Sequence, residues 1–125
     1  MCHQRAWVLP TCTAALVLSL LSSGCGSAIA SPKLGPHYQE EPLIVPYPPP
    51  PARVETIPRM PREMKHKAVW IDGEWQWKGR RWIWQEGRWE LPYPDGYFAP
   101  ATTLRIADGT LYFYQGGWKK ALPKR

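Results

Sequence analysis

Two six-residue stretches decide the fold, Trp70-Ile71-Asp72-Gly73-Glu74-Trp75 and Trp84-Gln85-Glu86-Gly87-Arg88-Trp89. A third copy, with Phe in place of the first Trp, follows as Phe113-Tyr114-Gln115-Gly116-Gly117-Trp118. An acidic residue followed by Gly, between alternating apolar residues, is a strong signal for a short hairpin, because Gly accepts positive φ. The first two copies are therefore predicted to be hairpin turns that pair Trp70 with Trp75 and Trp84 with Trp89.

Another turn is predicted between the two copies, in Trp77-Lys78-Gly79-Arg80-Arg81-Trp82. A four-residue loop, Lys78 to Arg81, would set Trp77 against Trp82 and Trp75 against Trp84. A tighter Lys78-Gly79 turn would instead pair Trp75 with Trp82. Because side chains alternate along a strand, both loops place the six tryptophans from Trp70 to Trp89 on one face of a four-stranded meander.

A second predicted hairpin runs from Thr102 to Tyr114 around an Asp108-Gly109 turn, with Ile106 facing Leu111 and Leu104 facing Phe113. The third copy would then set Phe113 against Trp118. Folding this sheet over the tryptophan face predicts an all-β domain over residues 65–125. It would be a small antiparallel meander of hairpins, arranged as a sandwich or an open, barrel-like sheet.

The first 24 residues are predicted to be an export signal. Arg5 precedes an apolar run from Ala14 to Leu21, which is far shorter than a membrane-spanning helix. Leu21-Ser22-Ser23-Gly24-Cys25 then resembles the bacterial lipobox, which implies cleavage before Cys25 and lipid on its sulfur. The alternative is ordinary cleavage after Ala28-Ile29-Ala30, a small-x-small site.

Residues 25–64 are dominated by proline, since ten of the 15 prolines of the chain lie between Pro32 and Pro61. Tyr47-Pro48-Pro49-Pro50-Pro51 is expected to adopt polyproline II, because each ring fixes φ and removes a donor. We predict a lipid-anchored, disordered linker that acts as a spacer. The alternative is a proline-rich ligand for a partner domain.

The three quoted copies resemble the WXXGXW-repeat family of bacterial envelope proteins, also called the YXWGXW-repeat family, over roughly residues 67–120. The resemblance implies an exported, often lipid-anchored and β-rich protein with no established catalytic activity. Gly26, directly after the lipobox cysteine, favours the outer membrane, with the domain facing the periplasm or exposed at the surface.

The composition argues against catalysis. Past Ser31 the chain of 125 residues has no Ser, Cys or Asn, and each of its three aspartates directly precedes a Gly, as turn residues do. The histidines lie without a carboxylate cluster beside them. We therefore predict no catalytic residue, no metal site and no cofactor.

Binding has two interpretations. In the first, the tryptophans form a core in which Trp77 and Trp82 are the most buried. In the second, the rings of a ligand stack on exposed tryptophans, namely Trp70, Trp75, Trp84 and Trp89. Arg80, Arg81 and Arg88 are candidate contacts for an anionic partner, or serve solubility in a chain of net charge +6. The predicted function is a non-catalytic, membrane-anchored module for contact with envelope proteins, with glycan or peptidoglycan binding as the alternative and no nucleic acid expected.

Overall fold

The computed structural model describes residues 28–122. The predicted signal peptide and Cys25 lie outside the described residues, so cleavage and lipidation stay predictions. Within the described part, nine short strands and a 3-10 turn at Arg62–Met64 make up the secondary structure, which confirms the all-β prediction. The strands are β1 Leu43–Val45, β2 Val69–Ile71, β3 Glu74–Lys78, β4 Arg81–Gln85, β5 Arg88–Glu90, β6 Gly96–Ala99, β7 Thr102–Arg105, β8 Leu111–Tyr114 and β9 Gly117–Lys120.

Residues 69–90 form one long two-stranded hairpin, which we call the tryptophan hairpin. Strand β3 pairs with β4, and further from the turn β2 pairs with β5 in the same continuous register. At the tip, Lys78 pairs with Arg81, and both central residues have positive φ, 57° at Gly79 and 61° at Arg80. Two positive φ values define a type I′ turn, whose twist matches that of the strands.

This register decides the tryptophan pairs. Trp77 lies opposite Trp82 and Trp75 opposite Trp84, as the four-residue loop predicts. The predicted pairs across Asp72-Gly73 and Glu86-Gly87 are wrong, because Trp70 lies opposite Trp89 instead. The two dipeptides do not turn the chain. They lie opposite each other and interrupt the two strands of one hairpin. This single hairpin stands in place of the predicted four-stranded meander.

The second predicted hairpin is present, but its register differs by one residue. Thr103 lies opposite Phe113 and Leu104 opposite Tyr112. The cause is a three-residue loop, Ala107 to Gly109. The Ile106 N–H donates to the Thr110 carbonyl, the Gly109 N–H donates to the Ile106 carbonyl, and Gly109 has a φ of 90°. One extra loop residue reverses the faces of the strand. Leu104 is therefore 51% exposed, whereas Phe113 is 2% exposed.

The C-terminal strands form two further sheets. One has the order β1-β8-β7, and the other pairs β6 with β9. Trp118 consequently packs against Phe98, with ring centroids 5.5 Å apart, so the predicted Phe113–Trp118 pair is wrong. In the described part of the chain the sheets are small and antiparallel and do not close into a barrel.

The proline-rich segment is extended, as its prolines predict, but it is part of the folded unit. Strand β1 lies between Pro42 and Pro46 at the edge of its sheet, the position that flanking prolines allow. Further towards the N-terminus, Leu34 forms a parallel bridge to Phe98, and the Ala30 carbonyl accepts a bond from the Trp70 N–H at 2.8 Å. A disordered spacer does not describe these residues.

Two apolar clusters form the core. Val45 from the proline-rich segment joins Leu111 and Phe113, against which Trp77 and Trp82 pack. The other cluster comprises Val69, Ile71 and Phe98, with Trp118 beside them. Val45 is 2% exposed, so the segment before Lys65 contributes to the core. Without this segment the domain would be close to the lower size limit for folding.

Candidate functional site

Three cross-strand tryptophan pairs follow one another along the hairpin, and all are edge-to-face. Their ring centroids are 5.1 Å apart in Trp77–Trp82, 5.2 Å in Trp75–Trp84 and 5.5 Å in Trp70–Trp89, with interplanar angles of 67°, 70° and 67°. This geometry sets the positive edge of one ring on the negative face of the other and stabilises each pair by about 0.5–1.5 kcal/mol beyond burial. We call the three pairs together the aromatic surface of the hairpin.

Residues 47–58, which we call the strap, lie across this surface. An indole N–H can only donate, and polyproline II leaves its carbonyls without internal partners, so the two groups complement each other. Four tryptophans donate to the strap: Trp82 to the Tyr47 carbonyl at 3.1 Å, Trp75 to Pro51 at 3.1 Å, Trp84 to Oε1 of Glu55 at 3.0 Å, and Trp89 to Pro58 at 2.8 Å. The strap therefore follows the hairpin from its tip to the level of Trp89.

Glu55 is the central anchor of the strap. Its Oε1 accepts from the Trp84 indole, and its Oε2 accepts from the Gly87 backbone N–H at 3.0 Å. The Trp84 bond, then the Gly87 bond, and also the Gly73 backbone N–H hold the pKa of the Glu55 carboxyl below its usual range. The glycines of both repeats thus face a single carboxylate.

The repeat glycines are required for space. A Cβ on Gly73 would lie 2.4 Å from Oε2 of Glu55 and 2.4 Å from Cζ2 of Trp84, and one on Gly87 would lie 2.4 Å from Cζ2 of Trp70. Each glycine therefore contacts the first tryptophan of the other repeat. Positive φ occurs at Gly79 and Gly109 among the glycines of the described residues, so the prediction that the repeat glycines need it is wrong.

Arg53 provides a second side-chain contact. Its guanidinium carbon lies 4.9 Å from the Trp75 ring centroid and 5.8 Å from that of Trp84, the geometry of a cation–π interaction. Val54, between Arg53 and Glu55, is fully exposed at 101%. The extended strap therefore directs two charged side chains to the hairpin and the intervening valine to solvent.

The predicted stacking residues are used by the protein itself. Trp70 is 7% exposed and donates to Oδ1 of Asp72 at 2.9 Å. Trp75, Trp84 and Trp89 are partly buried and bonded to the strap. Trp77 and Trp82 are partly buried as well, so the expectation that they are more buried than Trp70 is wrong. The backbone of Trp70 is bonded to the N-terminal segment, through the Ala30 carbonyl.

The three candidate arginines do not lie together. Arg80 and Arg81 are exposed at the tip of the hairpin. Arg88 is partly buried and contacts Oε1 of Glu90 through its Nε at 2.5 Å, while Trp118 donates to Oε2 of the same carboxylate at 2.6 Å. Nη1 of Arg88 is buried without a hydrogen-bond partner among the described residues. Arg88 is therefore paired with Glu90, unlike the two exposed arginines at the tip.

A cavity of about 590 Å³ lies between the strap, the N-terminal segment and the hairpin. Its walls are mostly apolar and include Ile29, Pro50, Trp75 and Phe98. Glu74 is the partly buried acid in this wall. Burial raises the pKa of its carboxyl, although the Ala101 N–H, which donates to Oε2 at 3.1 Å, acts in the opposite direction.

Sequence reasoning missed Arg53, Glu55 and Glu74. The signal for the first two was the single pair of opposite charges, two residues apart, in a strap that is otherwise uncharged. Within residues 28–122, no group of His, Cys, Asp or Glu is arranged to hold a metal ion. In the same range, no helix has the length and hydropathy required to cross a membrane.

Comparison with known proteins concerns the hairpin alone. The family model of the WXXGXW repeat matches residues 69–90, in two copies. The third copy, Phe113 to Trp118, lies outside this match. No curated protein and no solved structure matches the chain. The predicted resemblance is confirmed, and the tryptophan hairpin is a tandem pair of WXXGXW repeats.

Proposed function

We propose that this protein is a non-catalytic, lipid-anchored protein of the bacterial cell envelope whose tryptophan-rich β domain acts as a structural and protein-interaction module. The single observation that supports it best is that the tryptophan hairpin holds an extended polypeptide. Three of its indoles bind main-chain carbonyls of the strap, which are groups that every polypeptide presents. The aromatic surface is thus suited to contacts with protein chains.

A glycan-binding module has weaker support. It would stack sugar rings on Trp70, Trp75, Trp84 and Trp89, but Trp70 is buried and the other three donate to the strap. The Arg53 guanidinium also lies over Trp75. Sugars would have to displace the strap before they could stack there, so we propose the interaction module alone.

The proposed location rests on the lipobox. Cys25 would carry lipid, and Gly26 after it favours the outer membrane. The test is fractionation of cells that express the wild type or Cys25→Ser. The wild type is expected in the membrane fraction and the variant in the soluble periplasmic fraction. A variant that stays with the membrane would contradict lipid anchoring at Cys25.

The interaction is tested by crosslinking in whole cells, followed by purification of the full chain and identification of the crosslinked proteins. Envelope proteins recovered with the wild type should be lost when Trp75 and Trp84 are both replaced by Phe. This change keeps an aromatic ring at each position and removes two indole N–H donors to the strap. The matched control is Ile83→Thr, an exposed residue of the same hairpin. Equal recovery with all three chains would contradict the proposal.

A further inference from the structure

The contacts between hairpin and strap define the chemistry of a ligand. Three of them use backbone carbonyls and require only that the bound segment be extended and without internal hydrogen bonds, as proline-rich chains are. Two use side chains, the Arg53 guanidinium and the Glu55 carboxylate. Most of the strap remains exposed to solvent. The hairpin thus recognises a backbone conformation together with one carboxylate.

The carboxylate site is built by both repeats. The second repeat supplies the Trp84 indole N–H and the Gly87 backbone N–H, each 3.0 Å from an oxygen of Glu55. The first repeat supplies Gly73, whose absent Cβ leaves room for Oε2. Hydrogen bonds to an ionised acceptor are about twice as strong as those between neutral groups. Both repeats therefore shape the site: the second donates the hydrogen bonds, and the first leaves the space for the carboxylate.

We infer that the paired WXXGXW repeats are a receptor for an extended, proline-rich segment carrying a carboxylate, and that such a segment of another envelope protein takes the place of residues 47–58. This rests on the proposed interaction function and names the partner's chemistry. Charge favours the binding of such a segment in place of the strap. The chain from Lys65 onward carries a net charge of +5, and Arg80 and Arg81 are exposed at the tip of the hairpin. An acidic segment is attracted to this surface.

The strap is held in place partly by its attachment to the hairpin. Residues 59–67, which connect the two, are exposed except for Met60 and Met64, which are partly exposed. A short link of this kind gives the strap an effective concentration in the millimolar range. A competing segment therefore needs either a similar local concentration, as two proteins on one membrane provide, or a cut link.

The test removes this advantage. A protease site is inserted within residues 59–67 of the full chain, which also carries Glu55→Ala to weaken its own strap. After cleavage the chain is titrated with a labelled synthetic peptide covering residues 41–60, and binding is followed by fluorescence anisotropy. The native peptide should bind. A Glu55→Gln peptide should bind at least about tenfold more weakly, because its amide presents a donor to the N–H groups of the site.

The matched control is a Val54→Gln peptide. Val54 is fully exposed to solvent, so this peptide should bind like the native peptide. Failure of the native peptide to bind at a hundredfold excess over the chain, or equal binding of the native and Glu55→Gln peptides, would overturn the inference. A dimer of the intact wild type, seen by light scattering and dissociated by the native peptide, would overturn it in favour of a second copy as the partner. The crosslinking experiment tests the proposed interaction function independently, so its result does not depend on any outcome of the peptide titration.

Discussion

Gly73 of the first repeat lies against Trp84 of the second, so closely that a Cβ on the glycine would stand 2.4 Å from Cζ2 of the indole. The reciprocal contact joins Gly87 to Trp70, again at 2.4 Å. The spacing of the WXXGXW motif therefore has a physical reason in this fold. Each repeat provides a gap that the other repeat fills, so the tandem pair is the structural unit.

The first prediction tests why glycine is required at these positions: because a side chain has no room there, or because the backbone conformation needs glycine. Asn accepts positive φ more readily than other non-glycine residues but needs room for its side chain. Gly73→Asn should lower the free energy of unfolding by about 1–3 kcal/mol, as overpacking does. Gly79→Asn, at φ 57° with nothing within 4 Å of its Cβ, should lower it by less than about 0.5 kcal/mol. Urea denaturation measures both, and the reverse order would contradict the steric explanation.

The second prediction concerns the proline-rich segment as part of the core. Val45 is 2% exposed and Val54 is 101% exposed, although both lie before the expected domain boundary. Val45→Ala should lower the free energy of unfolding by about 2 kcal/mol. Val54→Ala should leave it unchanged. If both variants have wild-type denaturation midpoints, the segment does not contribute to the core.

The third prediction is a loss of stability in acid through Glu55. Its folded-state pKa is lowered, so its contribution is fully present above the ordinary pKa of a glutamate and is lost as pH falls through the lower, folded value. The stability difference between wild type and Glu55→Gln should therefore be largest at neutral pH and disappear in acid. Thermal melts from pH 3 to pH 7 measure it. A difference that is independent of pH would mean that Glu55 does not act through its charge.

The fourth prediction has the opposite sign and concerns Glu74. Burial raises its folded-state pKa, so the folded state retains a proton that the unfolded state has lost, and stability falls as pH rises from the ordinary pKa to the raised one. Glu74→Gln should remove this fall. The variant should gain stability relative to wild type between mildly acidic and neutral pH in the same melts. A relative loss over that range would show that the carboxylate is held ionised.

The fifth prediction tests the register of the second hairpin. Phe113→Ala should cost about 3–5 kcal/mol, since Phe113 is 2% exposed and contacts Trp82 at 4.8 Å between ring centroids. Leu104→Ala should cost less than about 1 kcal/mol, because Leu104 faces solvent. The register expected from an Asp108-Gly109 turn would make both changes costly. Chemical denaturation of the two variants distinguishes the registers.

The sequence predicted strand formation well, because side-chain alternation is a local property. Of the two turns considered between Trp77 and Trp82, the four-residue loop predicts the observed inner tryptophan pairs, whereas the Lys78-Gly79 turn does not. Sequence reasoning failed at Asp72-Gly73 and Glu86-Gly87. These dipeptides have turn chemistry, yet here they interrupt a long hairpin, and the contacts that decide this, Gly73 with Trp84 and Gly87 with Trp70, join residues distant in the chain. Local patterns cannot show which of two repeats fills the space beside a glycine.

The strap was missed for a related reason. Prolines determine backbone conformation, and polyproline II was predicted for Tyr47 to Pro51 within a linker expected to be disordered. Packing depends on what the extended chain meets. Several large indoles, each with an N–H that must find an acceptor when buried, face a segment whose prolines present carbonyls but no N–H. Counting donors and acceptors between the two segments would have indicated their association.

The bond between the Ala30 carbonyl and the Trp70 N–H limits how far the domain can stand from a lipid anchor. Ala30 lies five positions after Cys25, a reach of at most about 18 Å. With lipid on Cys25, the end of the hairpin at Trp70 and Trp89 would therefore lie close to the bilayer surface. The nine residue steps from Val69 to Lys78 extend about 30 Å along the hairpin. Anchoring near this end would give the molecule a polarity, with Arg80 and Arg81 at the other end of the hairpin.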